Sequence, residues 1–469
     1  MNAVLHAPVF DRELIARYDG RGPRYTSYPT ALQFRDDFGE ADLKAAVAAS
    51  DAADSERPLS LYVHVPFCRS PCFYCGCNRV ISRDPTRADH YLQWLFREVE
   101  QVARLFGAGH RVRQVRQVHL GGGTPNFLDI PRMQSLMDAL ARHFRFDEVE
   151  QREFGIEVDP RFADGDYVRA LAAMGFNRLS LGIQDFDPAV QRAVNREHGV
   201  EPTRVLVDEA RAAGFRSINM DLIYGLPLQT PVAFARTLDE VIAIGPDRIA
   251  VYGYAHLPSL FKAQRQIKTE ELPDAATRLE LFGRALTGLQ AAGYVYIGMD
   301  HFARSDDELA QAQRAGTLQR NFQGYSTHGD CDIVGLGVSA ISRIGDSYSQ
   351  NARDLAAYEG LLDGGHLPVV RGLLLDRDDL IRRELIGELM CHGAIDVQAF
   401  GRRHGLVFGD YFADSLARLQ SFVDDGLVVG DMRRLQVTSR GRLLLRNIAM
   451  CFDRYAGAQA DAARYSKTI

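Results

Sequence analysis

The chain has 469 residues, 46% of them hydrophobic and 25% charged, which is the ordinary globular range and excludes long disordered or fibrous stretches. A formal net charge of -6 without long like-charge blocks leaves no footprint for nucleic acid or an anionic membrane surface. No uncharged apolar run reaches the roughly 18 residues needed to span a bilayer, and the opening MNAVLHAPVF does not read as a secretory signal, so a cytoplasmic location is expected.

Residues 1–57 form an N-terminal arm, whose segment RGPRYTSYPTALQF suits an irregular stretch lying over something else. From residue 58 short apolar runs alternate with helical patterns. The runs LSLYVHVPF, VRQVHLGGGTP, EFGIEVDP, RLSLGIQDF, SINMDLIYGLP and RIAVYGYAHLP predict six β/α units, hence an α/β fold with a parallel sheet. Each run has Gly, Pro or a polar residue among its last two positions, and a parallel barrel gathers such strand ends on one face, where active sites form. The stretches ATRLELFGRALTGLQAAG, YVYIGMDHFA and NFQGYSTHGDCDIVGLGVSAISRI are expected to help close the barrel mouth, completing a domain over residues 58–365. From 366 to 469 helices dominate and end in a short hairpin. A mainly helical, winged-helix-like C-terminal domain is expected, and the acidic chain argues against a DNA-binding use of it.

Four of the seven cysteines fall in one loop after the first strand: Cys68, Cys72, Cys75 and Cys77. In a reducing compartment such a group is a metal or redox site rather than a disulfide framework. The spacing C-x3-C-x2-C lets three thiolates hold three irons of a [4Fe-4S] cube and leaves the fourth iron open, whereas electron-carrying ferredoxins complete the cube with a fourth cysteine. Structural zinc uses two separated ligand pairs and fits this loop poorly. Cys77, two residues from Cys75, is difficult to place on a separate iron and is expected nearby but not ligating. Cys331, Cys391 and Cys451 read as small buried hydrophobes.

An open iron can chelate the amino and carboxylate groups of S-adenosylmethionine (SAM), and the rim offers partners for the remainder. Gly121, Gly122 and Gly123 with Thr124 follow the second strand, where backbone can approach a ligand closely. Glu157, Gln184 and Asp221 lie near the ends of successive strands, and Arg196 follows the fourth. A guanidinium fork matches a carboxylate, and acidic or amide groups match ribose hydroxyls and adenine. His64 is either a partner behind the cluster loop or a satisfied strand histidine.

The segment YVHVPFCRSPCFYCGCN resembles the radical SAM signature, in the version with a further cysteine found in oxygen-independent coproporphyrinogen III oxidases. GPRYTSYPTALQF, HLGGGTPNFL, IEVDP, GIQDF, VNRE, DLIYGLP, YAHLP, IGMDHFARSDDELA and RGRLLLRNIAMCFD extend that resemblance over nearly the whole chain. It implies a partial (β/α)6 barrel of the TIM-like kind, a [4Fe-4S] cluster on Cys68, Cys72 and Cys75, and SAM, two molecules of it in this family. By the same resemblance Tyr62, Tyr74, Gly122, Gly123, Thr124, Glu157, Gln184, Arg196, Asp221, Ala255 and Ile341 bind SAM, while Cys77 and Tyr62 serve the catalytic step. The implied reaction converts two propionates of coproporphyrinogen III to vinyl groups, giving protoporphyrinogen IX, in a monomer reduced by a protein such as flavodoxin or ferredoxin. Arg21, Arg24, Tyr25 and Tyr28 of the arm are candidates for the substrate carboxylates. A competing reading is a related haem-binding radical SAM chaperone, but those proteins typically carry Phe where Cys77 stands and lack the long arm. A ferredoxin-like carrier would leave the rim without purpose.

Overall fold

The computed structural model of the chain describes residues 7–107, 113–431 and 433–456. The ends of the arm and of the C-terminal domain, residues 1–6 and 457–469, lie outside the described residues. The six β/α units are β1 (Leu59–Val65), β2 (Gln114–Gly122), β3 (Glu153–Val158), β4 (Arg178–Gln184), β5 (Ser217–Tyr224) and β6 (Arg248–Gly253). Each pairs in parallel with the next, in registers that set Tyr62 opposite His119 and Gly182 opposite Asp221. All six therefore end along one edge.

Alternation along the strands decides what faces the interior. In β4, Leu179, Leu181 and Ile183 are buried under the helices while Arg178, Ser180 and Gln184 are half-buried on the concave side. In β5, Met220 and Leu222 point to the helices and Asn219 and Asp221 point inward. The helices cover the outer face at a period of 3.6: in Thr86–Phe106 the buried side chains include Tyr91, Leu92, Leu95, Val99 and Val102. In Ile130–His143 they include Met133, Leu136, Met137 and Leu140, behind an Asp129 cap that accepts from the Arg132 N–H.

Of the segments expected to close the mouth, Ala275–Ala291 is a helix. The hairpin of Gln319–Asn321 and Gly324–Ser326 turns in over the barrel interior, where Tyr325 and Ser326 line a cavity with Gln117 and Ser180, and the remaining strands lengthen the sheet. The hairpin β7 (Tyr294–Gly298) and β8 (His301–Arg304) adds antiparallel to β6. On the far side β9 (Asp332–Leu336) lies parallel to β1, and β10 (Ile341–Ile344), β11 (Ser347–Asn351) and β12 (Val369–Leu374) follow in antiparallel order. The resulting thirteen-stranded sheet runs β7-β8-β6-β5-β4-β3-β2-β1-β9-β10-β11-β12, with Arg145–Phe146 beside β2. The physical reason is local: antiparallel neighbours need only short turns, so these strands pair along an edge. β12 comes after the boundary expected at 365/366 and still belongs to the sheet; the helix Arg377–His392 then opens the C-terminal unit. That unit contains a three-stranded antiparallel sheet of Ala394–Asp396, Arg434–Val437 and Val428–Gly430.

One buried carboxylate fastens the added strands to the barrel. Glu98, 1% exposed, accepts from the Gly337 N–H (2.7 Å), Asn351 Nδ2 (2.6 Å) and Tyr358 Oη (2.5 Å). Burial raises its carboxyl to about 7.

The arm is not irregular throughout, since it contains the helices Arg12–Tyr18 and Glu40–Ala53. The second is alanine-rich and buries Leu43, Ala46 and Val47, a spacing that sequence punctuation around it obscures. Three of the four arm residues considered for substrate are committed elsewhere. Arg24 pairs with Asp300 (2.5 Å), Tyr25 Oη donates to Asp453 (2.9 Å), and buried Tyr28 accepts from the Arg454 N–H (3.2 Å). Arg21 is exposed. Leu14, Tyr25 and Tyr28 share a core with Leu385, Phe400, Phe412 and Phe452 of the C-terminal unit. Among the described residues no helix is long and apolar enough to cross a membrane.

Candidate functional site

Cys68 closes a two-residue strand, Phe67–Cys68, that pairs with Val80–Ile81, so residues 69–79 are thrown out as a loop above the end of β1. The loop is held from behind. The Phe73 N–H donates to Val194 O (3.0 Å), Asn195 Nδ2 to Pro71 O (2.7 Å), and Arg79 to the carbonyls of Cys72 and Cys75 (3.3 and 3.4 Å). Cys68 and Cys72 are buried, Cys75 is half-buried and Cys77 exposed, and all seven cysteines are free thiols. Each of the three spaced sulfurs meets its own donor: Thr124 Oγ1 at Cys68 (3.2 Å), Arg196 Nη1 at Cys72 (3.4 Å) and the Cys77 N–H at Cys75 (3.4 Å).

These thiols wall a cavity of about 220 Å³ at the strand ends. Gly122, Gly123 and Thr124 line it from β2 and its turn, Glu157 from β3, Gln184 and Arg196 from β4 and beyond, and Asp221 from β5; Tyr74 and Cys77 complete it. A second cavity of about 190 Å³ shares Glu157, Ser180 and Asp221 with it, so polar space continues down into the barrel. Three expected residues stand outside the lining. Tyr62 lies one step below, stacked on His119 (6.1 Å between centroids) and bonded through its hydroxyl to His64 Nδ1 (3.1 Å). Ala255 is tied to Tyr74 because Gln264 Nε2 donates to both carbonyls (3.1 and 2.9 Å). Ile341 starts β10 at the same edge of the sheet, two strands from β1. His64 is satisfied on both sides, its Nε2 meeting Asn78 O (3.0 Å) at the far end of the cysteine loop.

The cavity suits the groups expected in it. Gln184 Oε1 is buried with no hydrogen-bond partner in the protein, on a backbone at φ +69°. Such an acceptor costs about 1–3 kcal/mol until a donor arrives, and an adenine amine or ribose hydroxyl is one. A side chain on Gly123 would run into Pro66 C (2.6 Å), and one on Gly182 into Arg196 Nη2 (2.8 Å), so backbone and guanidinium occupy space only glycines leave. The three thiols surround a void instead of converging on a point, and among the described residues no group of three His, Cys, Asp or Glu is placed to hold a single metal ion. A [4Fe-4S] cube, which takes one thiolate at each iron, matches that spread.

Electrostatics divide the rim. A hydrogen bond from the Cys77 thiol is the largest influence on Cys75 and brings it down to about 6, toward the thiolate. Burial pushes Cys68 up to about 11. For Glu157 burial acts upward, but the hydrogen bond and charge of His119 and the Gly122 N–H (3.3 Å) outweigh it and leave the carboxyl below its ordinary range. Asp221 is raised to about 6 by burial, against hydrogen bonds from Asn219 and Ser180. Neighbouring carboxylates on one rim thus differ in their hold on a proton.

Sequence reading missed Asp159, which lies in the quoted IEVDP, and Arg161 just beyond it; both follow β3 and stand directly behind Cys72. The signal was an acidic residue and an arginine two apart at a strand end whose Glu157 was already singled out. It also missed His119, the partner of Glu157 (3.3 Å).

Gly122 has φ +110°, and a Cβ there would meet the His64 ring at 2.4 Å. Gly122→Ala is expected to weaken SAM binding at least about tenfold through strain and displacement of His64, roughly 1.4 kcal/mol or more. Equilibrium dialysis with labelled SAM reads this, and unchanged affinity would show that this turn does not contact SAM.

Comparison with known proteins agrees with this geometry. The Radical SAM superfamily matches residues 62–241 and the HemN C-terminal domain matches residues 375–444. The oxygen-independent coproporphyrinogen III oxidase of Pseudomonas aeruginosa is 50% identical over 460 residues, covering 98% of this chain and 99% of its own length. That of Escherichia coli is 49% identical, covering 98% of each chain. The solved structure described as coproporphyrinogen III oxidase (HemN) from Escherichia coli, a radical SAM enzyme, superposes with a TM-score of 0.91 at 48% identity, over 96% of this chain and 100% of that one. At about half identity to curated relatives over nearly its whole length, and with a solved structure superposing at a TM-score of 0.91, this chain belongs to the oxygen-independent coproporphyrinogen III oxidase family of the radical SAM superfamily.

Proposed function

We propose that the chain oxidatively decarboxylates two propionate side chains of coproporphyrinogen III to vinyl groups, without oxygen, giving protoporphyrinogen IX in haem biosynthesis. The observation that carries this is the single cavity in which three cysteine thiols face the strand-end rim, in a chain about half identical to curated oxidases along its whole length. Its cofactors are a [4Fe-4S] cluster and SAM. When bound, they supply a 5'-deoxyadenosyl radical that removes a hydrogen from the propionate β carbon, after which carbon dioxide leaves and an acceptor takes the remaining electron.

The residues divide the remaining work. Cys68, Cys72 and Cys75 ligate three irons. Gly122, Gly123 and Thr124 offer backbone to the methionine end of SAM, and Arg196, fixed by Gly182 O (3.0 Å), presents a guanidinium already aimed into the cavity. Glu157, Gln184 and Asp221 take hydroxyl and amine donors. Tyr62, Tyr74, Ala255 and Ile341 extend the binding edge from β10 to the segment after β6. At about 4.8 Å between strands that edge is roughly 30 Å along its contour, which supports room for two SAM molecules. Tyr62, held by His64 and His119, and Cys77, on the cavity wall, serve the step that follows hydrogen removal.

A one-electron donor protein such as flavodoxin or ferredoxin supplies the cluster, and free thiols throughout support a reducing cytoplasm as the setting. A working monomer belongs to the same reading.

The test is an anaerobic assay of the reconstituted, reduced protein with SAM and coproporphyrinogen III, following vinyl product and 5'-deoxyadenosine together. About two nucleosides per protoporphyrinogen are expected, one for each propionate. Slow SAM cleavage without decarboxylation, together with tight haem binding, would replace the oxidase by the chaperone.

A further inference from the structure

Behind the cysteine loop sits a charged triad of Asp159, Arg161 and Arg196, of which only Arg196 belongs to the SAM-binding set. Asp159 is gripped by Arg161, through Nε to Oδ1 (3.0 Å) and Nη2 to Oδ2 (2.7 Å), and by Arg196, through Nη1 to Oδ2 (3.0 Å). Both guanidinium groups also reach the sulfur of Cys72, Arg196 at 3.4 Å and Arg161 at 3.6 Å. The three side chains are 5%, 13% and 8% exposed for Asp159, Arg161 and Arg196, so water screens them little. Arg161 is further braced by Asn195 O (3.3 Å), the residue that also fastens the loop at Pro71. Asn126 clamps the Asp159 backbone with both halves of its amide (3.0 Å each).

One carboxylate and two guanidinium groups leave one net positive charge against Cys72. A cube carried by three thiolates has one negative charge overall when oxidised and two when reduced. A fixed cation and N–H donors at a ligating sulfur stabilise the more negative state and make the cluster easier to reduce. Of the two cations, Arg196 already faces the cavity, whereas Arg161 does not line it.

We propose that Arg161, held by Asp159, is a positioning residue that sets the reducibility of the cluster by keeping a guanidinium against the sulfur of Cys72. This rests on the radical SAM reading of the site. Neutralising Arg161 makes the cluster harder to reduce. Neutralising Asp159 acts in the opposite sense, since it leaves two guanidinium groups uncompensated while Asn126 keeps the main chain in place.

The experiment is a redox titration of reconstituted protein without SAM, read by the electron paramagnetic resonance of the reduced cluster, with iron and sulfide measured per chain. At a fixed poise the reduced-to-oxidised ratio is expected to fall at least several-fold in Arg161→Gln, to stay near the unaltered value in Arg161→Lys, and to rise in Asp159→Asn. A merely structural triad would move the two neutralised variants the same way or not at all, and either result overturns the proposal. Where Arg161→Gln loads no iron, Asp159→Asn and Arg161→Lys decide: a rise in the first with an unshifted second upholds it, and any other result overturns it. Absence of 5'-deoxyadenosine from the unaltered protein would instead strike the reading of function, leaving these ratios interpretable.

Discussion

Cys72→Ser is expected to leave a folded chain with no intact [4Fe-4S] cluster and to lower 5'-deoxyadenosine formation by at least about a thousandfold, roughly 4 kcal/mol or more. A hydroxyl is a hard, weakly acidic ligand where iron in a sulfur cube takes a soft thiolate, and a cube already lacking a fourth protein ligand has no spare anchor. Cys72 sits at the best-supported corner, with Arg196 on its sulfur and Arg79 on its carbonyl. Serine keeps the volume and the loop contacts, so folding survives. The contrast is Cys391→Ser in the buried cluster with Ile297 and Leu309, which costs on the order of 1–3 kcal/mol of stability and no iron. Iron and sulfide per chain and the visible charge-transfer absorbance check both. Full iron content in Cys72→Ser would mean that Cys77 or another group supplies the third ligand.

The second large effect is on stability and its pH dependence. Glu98→Ala strands the Gly337 N–H, Asn351 Nδ2 and Tyr358 hydroxyl in a buried site. A loss on the order of 3–5 kcal/mol follows, read as a lower denaturant midpoint at constant slope. Glu98→Gln isolates the proton. The folded carboxyl titrates at about 7 and the unfolded one near 4.5, so folding favours the protonated form. That contribution is complete below about pH 4.5 and is lost as the pH rises through about 7, a change on the order of 3 kcal/mol. The unaltered protein should therefore lose stability relative to Glu98→Gln across that window. Parallel curves for the two proteins would show that the folded Glu98 carboxyl titrates where the unfolded one does.

The parts of the site visible in the sequence are those in which local chemistry and function coincide. Strand alternation places Glu157, Gln184 and Asp221 on the inner face, and the glycine run after β2 announces a close approach, so the rim could be assembled before any geometry was known. Asp159 and Arg161 escaped because an Asp-Pro-Arg string after a strand is ordinary turn chemistry; only the proximity of Cys72, from another part of the chain, gives it meaning. The arm illustrates the same limit. Arg24, Tyr25 and Tyr28 look like ligands for a polyanionic substrate because their partners Asp300, Asp453 and Arg454 lie hundreds of positions away. Strands β10 to β12 were blurred for a different reason. SYSQN in β11 is fully buried although it has no apolar alternation, its polar groups being satisfied by neighbours such as Ile344 O and Glu98.

The union of arm and C-terminal unit also orders events on the ribosome. Leu14, Tyr25 and Tyr28 leave the exit tunnel early, yet the apolar surfaces that receive them, around Phe400, Phe412 and Phe452, are among the last to be made. At about 5–20 residues per second a nascent chain completes most of its sheet many seconds before those partners emerge. The helix Glu40–Ala53 can settle on the barrel as soon as its partners exist, because Leu43 and Val47 belong to the barrel core. The segment carrying Leu14, Tyr25 and Tyr28 has to wait for the C-terminal unit. Because Arg24 of the same segment pairs with Asp300 beside β8, the late docking of Tyr25 and Tyr28 also fixes the arm against that flank of the barrel.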